Sequence, residues 1–138
     1  MDSPPSTSNA LPLGIKIAAS YLLLFGVARF IAMPVRLLRA SALPPFSGRA
    51  VAYYVLSIAI ALLLFLTGIA LLQRRVTARK MALGMLAYLA FLHARKAAAV
   101  LIHGPEHYGA LIFTGCLLAS TLALLAYLLS RSARAALP

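Results

Sequence analysis

VAYYVLSIAIALLLFLTGIALL, residues 51–72, decides the fold. It is an unbroken apolar run without a single charge. As an α-helix it is roughly 33 Å long at about 1.5 Å per residue, and the hydrocarbon core of a bilayer is about 30 Å thick. A run of that length and purity spans a membrane.

The neighbouring segments repeat the pattern. QRRVTAR (73–79) leaves room only for a tight turn, so the next helix returns antiparallel beside this one. Residues 81–102 form that helix, interrupted by His93, Arg95 and Lys96. Arg95 lies about 22 Å along the axis from Lys80, leaving roughly 7 Å to the far surface. A long basic side chain bridges that gap by snorkelling. HGPEHY (103–108) turns through Gly104-Pro105, and a fourth uncharged span, 109–129, ends before Arg131 and Arg134.

Upstream, residues 13–33 are apolar apart from Lys16 and Arg29, each near an end and able to reach headgroups. A cleaved leader is the competing reading. Asp2 balancing Lys16, and the lack of a small-x-small site before a hydrophilic mature chain, favour a retained span. Met33-Pro34 closes this span. In PVRLLRASALPPFSGRA (34–50), Arg36 and Arg39 flank Leu37 and Leu38. That fits a helical turn lying flat in the interface, and equally an irregular loop broken at Pro44-Pro45. The organisation is then a disordered polar tail over residues 1–10, one antiparallel four-helix transmembrane bundle over 11–132, and a short tail over 133–138.

Composition agrees. Hydrophobic residues make up 63% and charged ones 11%, against about 45–50% and about 25% in soluble domains. That excess of apolar surface needs lipid as its solvent. The net charge of +11 does not point to nucleic acid, because the cations flank apolar runs instead of building a soluble basic domain. Lys16, Arg74, Arg75, Arg79, Lys80, Arg131 and Arg134 share one side. Arg29, Arg36, Arg39, Arg49, Arg95 and Lys96 share the other. The concentrated charge of the 73–79 link favours termini and link in the cytoplasm of a multi-pass cell-membrane protein. The near balance leaves open a dual-topology homodimer.

Few residues carry chemistry. Cys116 is the only cysteine, which removes thiol-disulfide membrane oxidoreductases and suggests a small buried packing residue. His103, Glu106 and His107 are a ligand set of the type zinc uses, but around a Gly-Pro pair a hydrated loop is the stronger reading, with Glu106 pairing Arg95 or Lys96. His93 reads as a polar group hydrogen-bonded within the bundle, before any haem or proton-relay role. No metal or cofactor is therefore expected. The apolar spans contain no carboxylate of the kind proton-coupled cation exporters use. No serine-histidine-acid set, paired acids, H-E-x-x-H or phosphate-cradling loop occurs, so the chain reads as non-enzymatic. The polar intramembrane residues His93, Arg95, Lys96 and Arg29 stand out as a candidate anion route. Small residues at four-residue spacing, Gly115, Ala119 and Ala123, and Ala82, Leu86, Ala90, Ala94 and Ala98, mark candidate helix-packing faces.

Two segments carry a resemblance. LPLGIKIAASYLLLFGVARFI, with Pro12, Gly14 and Ile15, resembles the opening of small, functionally uncharacterised prokaryotic four-span integral membrane proteins. TGIALLQRRVTARKMALGML, with Gly68 and Ala78-Arg79, resembles their second-to-third-span turn. The chain departs from that group at Val76, where an aromatic is usual, and in its His-Ala-Arg-Lys interruption. The resemblance implies a four-helix bundle and no activity. The expected function is that of a small subunit or accessory partner acting through helix packing, as a homo-oligomer or with another membrane protein. The alternative is a small transporter or channel for anions, working as a homodimer.

Overall fold

The structure is a computed structural model that describes residues 11–40, 48–75, 77–103 and 108–137. The tail expected over residues 1–10 lies outside the described residues, as do Glu106 and His107 and the side chains of Arg36, Arg39, Arg49 and His103. Five helices follow one another: α1 (Leu13–Ala40), α2 (Gly48–Leu72), α3 (Ala78–His103), α4 (Tyr108–Leu129) and α5 (Arg131–Ala136). Four contain stretches long and apolar enough to cross a membrane: Leu13–Val35, Val51–Leu72, Ala78–Ile102 and Gly109–Leu129.

α1 does not stop at Pro34, where the sequence suggested closure. The helix continues to Ala40 with Pro34 inside it. Proline cannot donate to the carbonyl one turn back, which weakens a helix without forbidding it. The apolar stretch still ends close by, at Val35. The α2–α3 link is closed by a Schellman turn, in which the Arg75 amide donates to the Ala70 carbonyl and the Arg74 amide to that of Leu71. Arg74 takes the left-handed conformation this motif requires, with φ 53°. The C-terminal tail is also more structured than a short tail implies. Ser130 caps α5, accepting from the Ala133 amide at 3.4 Å, and Ala133 and Leu137 are buried in the core.

α1 packs most extensively on α2, and α3 on α4, while the α2–α3 and α1–α4 contacts that join these pairs are sparser. In lipid, apolar burial gives no net drive for association, so helices must approach closely enough for backbone and side-chain contact. Glycine makes this possible in the first pair. A Cβ on Gly26 would lie 3.0 Å from the Ala61 carbonyl oxygen and the Phe65 nitrogen, and one on Gly68 would lie 2.7 Å from Leu23 Cγ. Gly14 leaves the space taken by the Tyr127 ring. Arg79 donates from Nε to the Leu128 carbonyl at 3.0 Å. The starts of α1 and α3 and the end of α4 therefore meet at one end of the bundle.

The core is filled by Ile15, Ala18, Ala19 and Leu22 of α1, with Leu64 and Leu71 of α2, Ala82 and Leu86 of α3, and Leu128 of α4. The outer faces are as apolar as the inner ones. Val55, Phe91, Phe113 and Ile102 are 62%, 64%, 66% and 81% exposed. Water would not tolerate such a surface, whereas hydrocarbon requires it.

The outer face of α4 holds two residues read differently from the sequence. Cys116 is exposed, contrary to the expected burial. α4 turns Thr114, Thr121 and Leu128 inward at seven-residue spacing, which carries Cys116 to the far side. Gly115, Ala119 and Ala123 are exposed as well, and a Cβ on Gly115 would meet nothing within 4 Å. Among the described residues nothing packs on this stripe. In α3, Ala82 and Leu86 are buried, Ala90 is half-buried, and Ala94 and Ala98 are exposed, so that stripe serves only its first half.

Candidate functional site

At the end of the bundle away from Gly14 and Tyr127, the later part of α1, the first turns of α2 and the second half of α3 enclose a cleft of about 500 Å³. Arg29, Arg95 and Lys96 line it together with His93, Ser57 and the tyrosines Tyr53, Tyr54 and Tyr88. Phe25, Met33, Leu89 and Leu92 supply apolar wall. All four residues of the candidate polar intramembrane site are thus brought together. Arg29, Ser57 and Lys96 each lie six residues inside the ends of their apolar spans at Val35, Val51 and Ile102. Each backbone is thus about 9 Å along its helix from the end of the apolar span.

Snorkelling alone does not describe Arg29. Its guanidinium carbon sits 5.9 Å from the centre of the Tyr88 ring, a cation–π contact that ties α1 to α3 and holds the charge inside the cleft. Arg95 and Lys96 are exposed at the rim. Both acids of the chain, Asp2 and Glu106, lie outside the described residues, so no described carboxylate faces these three cations.

The floor of the cleft is a polar node. His93, 5% exposed, stands with Nδ1 3.3 Å from Thr121 Oγ1. Thr121 Oγ1 lies 2.6 Å from the Tyr21 hydroxyl and donates to the Leu117 carbonyl at 2.7 Å. The Phe25 ring packs 4.7 Å from Tyr21 and 5.5 Å from His93, centre to centre. Helices α1, α3 and α4 are thereby pinned at one level. This agrees with the expectation that His93 is hydrogen-bonded within the bundle. Beyond the node, Ile15, Leu64, Leu71 and Leu86 are fully buried, so among the described residues the cleft is blind and does not continue as a pore.

Sequence reasoning missed Thr121 and the tyrosines. A threonine seven residues after Thr114 was an available signal for the inward face of α4. Tyr53 and Tyr54 stand near a span end and Tyr88 in mid-span, and only the fold turns the three toward one space. The metal-type set His103, Glu106 and His107 lies, wholly or by its side chains, outside the described residues, and among the described ones no group of three His, Cys, Asp or Glu occurs.

Together the four apolar helices and their lipid-compatible surface define a helical, multi-pass integral membrane protein. No protein-family model, curated protein or solved structure matches the chain.

Proposed function

We propose that this is a non-enzymatic protein of the cell membrane that binds an anionic ligand in the cleft, as a small transporter does. The observation that carries the reading is the convergence of Arg29, Arg95 and Lys96 on one cleft whose described lining contains no acid. Cations at that depth are costly unless something compensates them, and an anion compensates all three. Because the cleft is blind, the protein works by binding from one face, and passage across the membrane requires a second conformation or a second copy. With the termini and the 73–77 link in the cytoplasm, as the positive-inside bias favours, the cleft faces the opposite side.

The test is one of charge sign. The isotope-labelled protein in neutral micelles is titrated with benzenesulfonate and with phenyltrimethylammonium, a pair alike in size and opposite in charge. Amide signals of residues 25–33, 53–57 and 88–96 are expected to move with the anion alone. Equal response to the cation, or shifts confined to other regions, would remove the reading.

A second reading, a small subunit or accessory partner that acts through helix packing, is favoured by the outward Gly115, Ala119 and Ala123 face, which the described residues leave uncovered. Crosslinking in native membranes that yields only monomer, without a co-purifying partner, would count against it.

A further inference from the structure

We infer that the ligand is a phosphate-bearing amphiphile that enters sideways from the bilayer, between α2 and α3, rather than an anion arriving from water; this rests on the anion-binding reading above. The lining of the cleft grades from Leu89, His93 and Met33, which are 2%, 5% and 8% exposed, to Tyr53 at 53%, with Ala28, Arg95 and Lys96 also exposed. The mouth is bordered chiefly by α2 and α3, the pair that contact each other less than α1 with α2 or α3 with α4, with Ala28 of α1 at its edge.

Val55 on α2 and Phe91 on α3, which point away from the cleft, are 62% and 64% exposed and apolar, so the outer faces of the two helices are ones that only hydrocarbon wets. An ion from water gives up hydration to reach a cleft walled by apolar helices, whereas an amphiphile already has its tail in hydrocarbon.

Three cationic heads and tyrosine hydroxyls suit the several acceptor oxygens of a phosphate, which arginine grips in a forked geometry. The apolar wall of Phe25, Met33, Leu89 and Leu92 suits a chain. A volume of about 500 Å³ lies within the usual range for a small-molecule site and takes a head with the first part of a tail.

Full-length protein in dodecyl maltoside, followed by native mass spectrometry, distinguishes the sources of phosphate. The probes are dioctanoyl phosphatidic acid, dioctanoylglycerol and inorganic phosphate. Phosphatidic acid is expected to bind more tightly than either of the others by at least about tenfold. Arg29→Gln and Lys96→Gln are each expected to weaken it roughly tenfold, while Arg131→Gln at the other end leaves it unchanged. Should Arg29→Gln fail to give a monodisperse protein, Lys96→Gln, at an exposed rim position, still decides.

Inorganic phosphate binding as tightly as phosphatidic acid would overturn the amphiphile and leave the anion reading standing. Dioctanoylglycerol binding equally well would overturn both. Binding that ignores the Arg29 and Lys96 substitutions would place the ligand elsewhere and overturn the proposal. So would binding that emerges only in Glu106→Gln, since the chain's own carboxylate would then be the counter-ion.

Discussion

Alanine at Gly26 and alanine at Gly115 are one substitution in two helices of one bundle, and they are expected to act in opposite directions. The intrinsic term is common to both. Alanine favours a helix over glycine by about 1 kcal/mol. At Gly115 the new methyl meets nothing within 4 Å, so only that gain is felt. At Gly26 the methyl would lie 3.0 Å from the Ala61 oxygen, 3.0 Å from the Phe65 nitrogen and 3.1 Å from Phe65 Cβ. Optimal separations are about 3.5–4.0 Å, and the first two partners are backbone atoms with no rotamer to yield. Relief must come from moving α1 away from α2, which loosens Ala19, Leu22 and Leu64 in the same seam. Overpacking of this kind costs about 1–3 kcal/mol. Against the gain in propensity, Gly26→Ala is left destabilised by up to about 2 kcal/mol, whereas Gly115→Ala is neutral or stabilised by up to about 1 kcal/mol. Sodium dodecyl sulfate titration of protein folded in dodecyl maltoside, monitored by tyrosine near-ultraviolet dichroism, reads loss of packing while the helices persist. Equal midpoints for the two variants, or a higher midpoint for Gly26→Ala than for the parent, would refute the close-approach seam.

Gly14→Ala drives a methyl into the Tyr127 ring and is expected to cost about 1–3 kcal/mol in the same titration, with a changed tyrosine signal as the ring leaves. Thr121→Val keeps the shape and removes the hydroxyl shared with Tyr21 and His93. A loss of about 0.6–1.7 kcal/mol is expected, and a double-mutant cycle with Tyr21→Phe should give a non-additive result. Arg79→Met deletes the donor to the Leu128 carbonyl at the end of α4. The expected cost is about 1 kcal/mol, seen also as faster amide exchange in residues 126–137.

The four spans were legible because lipid imposes a length and an apolarity that few other environments demand, and residues 51–72 satisfy both without interruption. Which side of each span faces inward was much less so. In a soluble bundle polarity marks the outside, but here both faces are apolar, and small residues have to serve as the marker. Gly26 and Gly68 used that marker within the chain, whereas Gly115, Ala119 and Ala123 carry it on the outside, and Cys116 follows them. Pro34 reads as a stop by a rule learned from interior helix positions, yet α1 passes through it at the edge of its apolar stretch. Arg29, Arg95 and Lys96 were visible as charges near span ends. Their meeting was not, because it depends on α1, α2 and α3 bringing one end together, and on Tyr88 lying under the Arg29 guanidinium.

The sparse junction between the two helix pairs has a mechanical meaning. Each pair is stiff, so a bilayer that thickens, thins or changes its lateral pressure deforms the molecule first where least holds it, and hydrophobic mismatch acts with fractions of a kcal/mol per Å. The Tyr21–Thr121–His93 node and the Gly14–Tyr127 contact are what resist there. A membrane of different thickness is therefore expected to change the spacing between the two pairs before it changes the spacing within either.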